Sequence, residues 1–481
     1  MATRDFERNA PLIGGKWVSA TSLGSQAHIN PATNKPQAEL HVGGAREIDA
    51  AVAAAVKAQD AWADMPGETR RDILMRWAVL VEANQAEFVR LAALESGVPS
   101  MIGGGVGLAL QWFRYYAGWS DKIVGDVVTP IGAKGMNYTR HEPYGVVGLI
   151  IPWNSPIVAS SMKVTPALAA GNSVVLKPPT LTPFVALRLA ELALEAGVPE
   201  GVFNVVPGDA EAGTALCTHR DVAKISFTGG GAVARIVMRN CADHLKPLAL
   251  ELGGKSANLI FADADLDSAA QMAGIQGCAV LSGQGCVLPT RAYVHESIAD
   301  GFAARVKAVV ESFSVGDPLD PTKFVGPVIS KAAADRILGI IDRAKQEGGE
   351  VISGGGKLGG ALADGNFISP TVIKTRHDSD LARNEVFGPV LAITTFKDDD
   401  EVLTKANDSI YGLGAYVHTK DLTRAHRFAA KLKAGAISVN SGVPMAPNTP
   451  FGGYLQSGFG REGGKAGLDE FLQLKNVFIP Y

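Results

Sequence analysis

The most constraining feature of this 481-residue sequence begins at Gly145, where short β-branched runs alternate with segments of helix length. Such alternation predicts a parallel sheet whose strands are joined by crossover helices. Glycines 171 and 197 follow two of the helical segments, where glycine most easily forms a left-handed helix end. The predicted strands are 145–151, 173–176, 203–206, 223–227 and 248–250, and the predicted helices are 157–170 and 184–196.

A second alternating region follows the first and is long enough to form a domain of its own. With 47% hydrophobic residues, the chain can bury more than one core. Segments 49–63 and 69–96 carry apolar residues at helical spacing and are predicted to pack beside the first sheet. In the second region the predicted strands are 258–261, 291–294, 390–396 and 436–439, and the predicted helices are 298–313 and 332–347.

Composition and charge exclude several classes of protein. The net charge is −3, from 45 basic and 48 acidic residues, so we expect no nucleic-acid partner. Residues 1–10 lack the apolar segment of a secretory leader, and the apolar stretches are far shorter than the ~20 residues that span a bilayer. Four cysteines without a CxxC pair predict neither a disulfide framework nor a metal site, which favours a cytoplasmic protein.

Three short motifs could carry chemistry. Cys286 ends the run Ser-Gly-Gln-Gly-Cys, and a cysteine on a tight glycine turn can present its sulfur to a substrate, although a free cysteine is more often inert and buried. Glu251 ends an apolar strand before two glycines, where its carboxylate could activate water or could simply be solvated. Asn154 lies between two prolines at another strand end, where its amide could stabilise an oxyanion or form a turn.

Together these motifs resemble the aldehyde dehydrogenase superfamily, and the likeness covers nearly the whole chain. Further matching pieces, in the family's order, are Lys177-Pro178, Phe227-Thr228-Gly229, Glu385-Val386-Phe387-Gly388-Pro389, Ala434-Gly435 leading to Asn440, Pro450-Phe451-Gly452-Gly453, Ser457-Gly458 and Gly460-Arg461-Glu462.

The resemblance implies a covalent mechanism of aldehyde oxidation. Cys286 is the expected nucleophile, and Glu251 is the expected base for the thiol or for the water that hydrolyses the thioester. Asn154 and the Cys286 backbone N–H would hold the oxyanion, and Lys177 and Glu462 would extend a proton path from Glu251.

The resemblance also implies a nicotinamide cofactor, with Glu385 on its ribose and Phe387 beside its ring. Two positions depart from the family pattern: Gly230 replaces the usual serine and Ala234 replaces the last glycine, so we expect a weaker or differently posed cofactor. Thr180 stands where NAD-preferring relatives often carry a glutamate, so NAD is predicted and NADP stays open. The expected cofactor-binding residues are Ile151, Pro152, Trp153, Lys177, Gly229, Gly230, Leu252, Glu385 and Phe387.

If the resemblance carries over position by position, the substrate tunnel is wide. Ser155 and Met162 stand where several relatives specialised for small aldehydes have large aromatic residues. The lining holds no arginine or lysine, which favours an uncharged, bulky apolar or aromatic aldehyde. The expected lining residues are Ser155, Ala159, Met162, Gly285, Val287, Met445 and Phe451.

Two alternatives keep the same fold. A CoA-acylating dehydrogenase would pass the thioester to a thiol, but such relatives usually lack the glutamate that stands here at 251. A non-enzymatic cofactor-binding member would have lost Cys286, Asn154 or Glu251, and all three are present.

The resemblance implies an α/β architecture of three parts, with an arm that pairs with another subunit. The strand-like, apolar segment 476–479 would make a sticky edge if left unpaired, so a homodimer or a homotetramer is expected. The predicted parts are a Rossmann-like NAD(P)-binding domain (1–121 and 144–253), an α/β catalytic domain (254–456), and an oligomerisation arm with the C-terminal tail (122–143 and 457–481).

Overall fold

The protein's structure is a computed structural model that describes residues 6–442 and 445–481. The first five residues, on which the expectation of no secretory leader partly rests, lie outside the described residues, as do positions 443 and 444. In the described ranges, no helix is both long and apolar enough to cross a bilayer.

Helices and strands alternate over most of the chain, as the sequence predicts. The helices are α1 (Ala45–Ala63), α2 (Gly67–Ala83), α3 (Gln85–Ser96), α4 (Val106–Ala117), α5 (Pro156–Ala169), α6 (Phe184–Ala196), α7 (Ala210–Thr218), α8 (Gly231–Ala242), α9 (Leu266–Gly274), α10 (Ala299–Glu311), α11 (Lys331–Gln346), α12 (Asp380–Arg383), α13 (Asp399–Asn407), α14 (Leu422–Lys431) and α15 (Gly464–Asp469). The strands are β1 (Leu12–Ile13), β2 (Lys16–Trp17), β3 (Ser25–Asn30), β4 (Lys35–His41), β5 (Val127–Val128), β6 (Gly135–Pro143), β7 (Val146–Ile150), β8 (Ser173–Lys177), β9 (Phe203–Val205), β10 (Lys224–Thr228), β11 (Leu248–Glu251), β12 (Ala257–Ile260), β13 (Arg291–His295), β14 (Glu350–Ser353), β15 (Thr371–Lys374), β16 (Val390–Phe396), β17 (Gly414–His418), β18 (Ala436–Val439), β19 (Gly458–Phe459) and β20 (Leu472–Pro480).

The first sheet has eight strands in the order β19-β11-β10-β7-β8-β9-β1-β2. Its central strands β11, β10, β7, β8 and β9 are parallel, and the chain runs outward from β7 to β9 before it returns to β10 on the other side of β7. In such open sheets, ligands bind outside the carboxyl ends of the strands at this reversal. Gly171 and Gly197 have φ angles of 93° and 100°, which confirms the predicted left-handed helix ends.

The second sheet has seven strands in the order β14-β15-β16-β13-β12-β17-β18, and all neighbours except β14 and β15 are parallel. Only the short segment 252–256 joins β11 of the first sheet to β12 of the second. The carboxyl edge of the first sheet therefore lies close to the amino edge of the second.

A third sheet is made by β20, β6 and β5, with β20 and β6 antiparallel over nine residue pairs. These strands come from the two segments predicted to form the arm. The tail that we grouped with the arm first adds β19 to the first sheet, because Gly458–Phe459 pairs with Leu250–Glu251.

Helix α5 lies in the largest hydrophobic core and buries all 14 of its residues. An apolar helix surface on every side is typical of a helix enclosed by its neighbours. Its one charged residue, Lys163, therefore needs a partner inside the protein.

Candidate active site

The site lies where the edges of the first two sheets face each other. Strands β7, β10 and β11 are parallel neighbours, so the residues after them meet at one edge: Asn154 follows β7, Gly229 follows β10, and Glu251 ends β11. The sequence predicts functional groups at these three strand ends, and the sheet brings them together.

The second sheet contributes residues that precede its strands. Cys286 precedes β13, Gly253 precedes β12, and Glu385 with Phe387 precedes β16. Because β12, β13 and β16 are parallel neighbours, these residues also share one edge. The two edges enclose a cavity of ≈ 220 Å³. Its lining is Pro152, Trp153, Asn154, Thr228, Gly229, Gly230, Glu251, Leu252, Gly253, Cys286, Glu385 and Phe387.

Cys286 follows a strained turn. Leu281 and Ser282 have φ angles of 50° and 52°, which side chains seldom adopt, and Gly283 follows with a φ of 71°. A side chain at Gly283 would collide with the carbonyl of Gly388, so only glycine lets the turn pack this tightly. The turn leaves Cys286 partly exposed, whereas the other three cysteines are buried.

The thiol of Cys286 is weakly acidic in this setting. Although Cys286 is partly exposed, the protein atoms around its sulfur desolvate the thiolate, and this effect, followed by the charges of Glu385 and Glu251, raises the pKa of Cys286 to about 12. Since the thiolate is the nucleophile, this cysteine needs a base to activate it.

Asn154 reaches the turn before Cys286. Its Nδ2 donates a hydrogen bond to the Gln284 carbonyl at 2.8 Å. An amide nitrogen carries two hydrogens, so one donor fixes the side chain and the other is available to an oxyanion.

Glu251 is 4% exposed, and neither of its carboxylate oxygens has a hydrogen-bond partner within residues 6–442 and 445–481. A side chain at Gly452 would come within 2.7 Å of Oε1, so glycine leaves room beside the carboxylate. Burial, and after it the charge of Glu462, raises the pKa of Glu251 well above its usual range, while Lys163 opposes this. Glu251 is therefore a stronger base than an exposed glutamate.

Lys177 and Glu462, the two residues of the expected proton path, have different partners in the structure. Lys177 ends β8, and its Nζ donates to the Gly208 carbonyl at 2.6 Å. Glu462 instead pairs with Lys163, whose Nζ lies 2.6 Å from Oε1 and 2.8 Å from Ser226 Oγ. Sequence analysis missed Lys163, although a lone lysine in an apolar helix is a pattern that could have identified it.

Comparison with known proteins shows the family to which the chain belongs. The model of the aldehyde dehydrogenase family matches residues 17–477. The chain belongs to the aldehyde dehydrogenase family. It is 42% identical to a phenylacetaldehyde dehydrogenase of Pseudomonas fluorescens over 98% of this chain and 95% of that protein.

Two solved structures show the same fold over nearly the whole chain. PnpE from Pseudomonas sp. WBC-3, solved in complex with nicotinamide adenine dinucleotide, is 38% identical and superposes with a TM-score of 0.96, covering 98% of this chain and 97% of that one. An NADP-dependent enzyme of E. coli is 36% identical, with a TM-score of 0.95 and 98% of both chains covered. The protein is thus an NAD(P)-dependent aldehyde dehydrogenase.

The residues of this dehydrogenase fit a dinucleotide at the edge of the first sheet. The amino end of α8 carries free N–H groups, and an added side chain at Gly230 would meet no atom within 4 Å, so a diphosphate can approach the backbone. Gly230, which stands where the family usually has a serine, leaves this approach open but offers no hydroxyl.

Groups that could hold the nicotinamide half lie nearer Cys286. Glu385 Oε1 accepts from the Gly254 N–H at 3.0 Å, and a side chain at Gly253 would collide with this carboxylate. The rings of Trp153 and Phe387 meet edge to face, with centroids 5.2 Å apart. Leu252 lines the same cavity, whereas Ile151 is buried in the core, leaving only its backbone for the cofactor.

Most of the predicted tunnel residues of the dehydrogenase belong to the large hydrophobic core against which Cys286 packs. Ala159, Met162, Val287 and Phe451 belong to one apolar cluster, against which Cys286 and Met445 also pack. Ser155 directly precedes α5, at the start of this wall. Gly285 differs, because a side chain there would point at Leu288, with its Cβ 2.8 Å from Cγ.

Proposed function

We propose that this dehydrogenase oxidises an uncharged, bulky apolar or aromatic aldehyde to its carboxylic acid with NAD, through a thioester on Cys286. The observation that carries the proposal is the buried carboxylate of Glu251, which faces the same cavity as Cys286 and has no partner in the described chain. An unpartnered buried carboxylate is costly, and it marks a group placed for proton transfer.

In the first step, Glu251 takes the thiol proton of Cys286, and the sulfur attacks the carbonyl carbon. The second N–H of the Asn154 amide and the backbone N–H of Cys286 hold the alkoxide that forms. Losing one such donor typically lowers the rate about 10²–10³-fold.

In the second step, the alkoxide collapses to a thioester as hydride leaves the carbon. When bound, the nicotinamide cofactor would supply the hydride acceptor. Glu385 would hold its nicotinamide ribose, and the backbone at Gly229 and Gly230 would hold its diphosphate. Glu251 releases the thiol proton to solvent and then removes a proton from water, so that the hydroxide formed attacks the thioester. Glu251 returns this second proton to the departing sulfur, which frees the acid and the Cys286 thiol.

The aldehyde class is supported by the wall around Cys286. Ala159, Met162, Val287 and Phe451 are each at most 9% exposed and apolar, so they offer no charge to pair with a carboxylate or a phosphate on the substrate. The Pseudomonas fluorescens relative is named for phenylacetaldehyde, an aromatic aldehyde of this kind.

We further propose that the enzyme acts in the cytoplasm as a homodimer or homotetramer, with the three domains bounded as the sequence predicts. Its cysteines are free in the described chain, as a reducing compartment requires. Strand β20 carries exposed apolar residues, including Leu474, Phe478 and Ile479, that a second subunit would cover.

The test is reduced-cofactor absorbance at 340 nm with phenylacetaldehyde, benzaldehyde, acetaldehyde and succinic semialdehyde, with and without CoA. We expect the aromatic aldehydes to give the highest kcat/KM and the free acid as product. Higher kcat/KM for the semialdehyde would overturn the substrate class, and a product that requires CoA would identify an acylating enzyme.

A further inference from the structure

Asp209 stands at the amino end of α7 but does not cap it. An aspartate in this position usually accepts a hydrogen bond from an amide of the first helical turn. Within the described chain, Asp209 makes no such bond. Both of its carboxylate oxygens instead accept from the Thr180 hydroxyl, at 3.0 Å each.

This contact lies at the edge of the first sheet where a dinucleotide would continue away from Cys286. Thr180 follows β8 and Asp209 follows β9, the next parallel strand. Parallel strands are ~4.8 Å apart, so β8 lies about two spacings from the phosphate site after β10. With the nicotinamide half at Cys286, the adenosine half would extend over the ends of β7 and β8.

Two side chains of opposite charge, Lys177 and Asp209, lie at this edge of the sheet. Lys177 is 7% exposed, its ammonium already donates to Gly208, and burial lowers its pKa to about 8, while Asp209 partly offsets that effect. Asp209 is exposed, so its carboxylate is open to a ligand at this edge. A ribose hydroxyl can donate to this carboxylate, whereas a phosphate on the same ribose would be repelled.

We propose that Asp209, held in place by Thr180, is the residue that selects NAD over NADP, by accepting from the adenine-ribose hydroxyls and repelling a 2′-phosphate. Position 180, in the loop after β8, is a threonine and carries no charge. Asp209, which follows β9, supplies a negative charge at the same sheet edge. The inference rests on the nicotinamide cofactor of the proposed function and is independent of the aldehyde.

The experiment is calorimetric titration of the full-length enzyme with NAD⁺, NADP⁺, 5′-AMP and adenosine 2′,5′-bisphosphate. In Asp209→Asn, we expect the Kd ratio of NADP⁺ to NAD⁺ to fall at least about tenfold, and the ratio for the two adenosine probes to fall in parallel. Because those two probes carry no nicotinamide, the result stands even if the proposed aldehyde chemistry is wrong.

Glu211→Gln is the matched control. It removes the same charge from the first turn of α7, but Glu211 Oε1 accepts from the Ala45 N–H and not from the loop after β8. We expect its Kd ratio to stay within about twofold of the wild type.

A second variant removes the hydroxyl of Thr180 that holds the carboxylate of Asp209. Thr180→Val keeps the charge of Asp209 but frees its orientation, so we expect a smaller fall in the Kd ratio than for Asp209→Asn. The proposal is overturned if the wild type binds NADP⁺ more tightly, if Asp209→Asn leaves the ratio unchanged, or if Glu211→Gln lowers it equally.

Discussion

Two buried carboxylates, those of Glu251 and Glu462, have different surroundings in the fold. Both are under 10% exposed, but Glu462 is neutralised by Lys163, whereas Glu251 has no partner in the ranges that the structure describes. An ion pair holds a buried carboxylate in a fixed position, whereas a buried carboxylate without a partner is free to accept a proton from a reacting group. We therefore infer that Glu251 carries out the proton transfer and that the charges of Glu462 and Lys163 adjust its pKa.

The largest loss of activity should come from removing the thiol of Cys286, which lines the same cavity as Glu251. Cys286→Ala is expected to lower kcat at least about 10⁴-fold, because no thioester can form. The measurement is NADH production with phenylacetaldehyde. Cys278→Ala is the control, since Cys278 is fully buried and donates to the Thr371 carbonyl, so it should retain most activity.

Replacing Glu251 tests whether a buried carboxylate without a partner acts as the base. Glu251→Gln should lower kcat about 10²–10⁴-fold with little loss of thermal stability, because it removes a base that stabilises nothing. Glu251 acts without its proton and its pKa is raised, so wild-type kcat/KM should increase with pH and the variant should lose that dependence. A variant with unchanged kcat and pH profile would contradict the assignment.

The partnered carboxylate should respond in the opposite way. Lys163→Met leaves Glu462 buried without its cation and should destabilise the protein by about 3–5 kcal/mol, as thermal denaturation would measure. Lys163→Met with Glu462→Gln should recover much of that loss, as a double-mutant cycle measures.

The same pair should shift the pH profile in a predictable direction. The charge of Glu462 raises the pKa of Glu251 and that of Lys163 lowers it. The rise of kcat/KM with pH should therefore move to lower pH in Glu462→Gln and to higher pH in Lys163→Met. Stability loss without any shift would mean that the pair is purely structural.

The smallest predicted effect concerns the tunnel wall. Met162→Trp should lower kcat/KM for phenylacetaldehyde relative to acetaldehyde about tenfold, because a larger side chain would narrow the predicted substrate tunnel. The ratio between the two aldehydes is an internal control for general damage to the enzyme. An unchanged ratio would exclude Met162 from the substrate path.

Local sequence patterns predicted the parts of the fold that are locally determined. Predicted helix 184–196 and strands 390–396 and 436–439 match the structure residue for residue, because apolar periodicity and flanking glycines specify them. Strands β14, β15 and β17 were missed, although the sheet buries most of their residues, because short strands gain stability from non-local neighbours.

Only those residues of the site that belong to short sequence motifs could be predicted from the sequence. Strand ends and glycine turns in the sequence indicate the positions of Cys286, Glu251 and Asn154, but not the side-chain pairs elsewhere at the sheet edges. Lys163 and Glu462 are 299 positions apart, and Thr180 and Asp209 lie on different strand ends, so only tertiary packing reveals these pairs.

The most direct test of the central claim is mass spectrometry of acid-quenched enzyme during turnover with phenylacetaldehyde and NAD⁺. We expect a phenylacetyl thioester on the peptide that contains Cys286, and in Glu251→Gln a larger fraction of this thioester relative to the turnover rate. An adduct on Cys217, Cys241 or Cys278, or turnover with no adduct on Cys286 at any quench time, would contradict it.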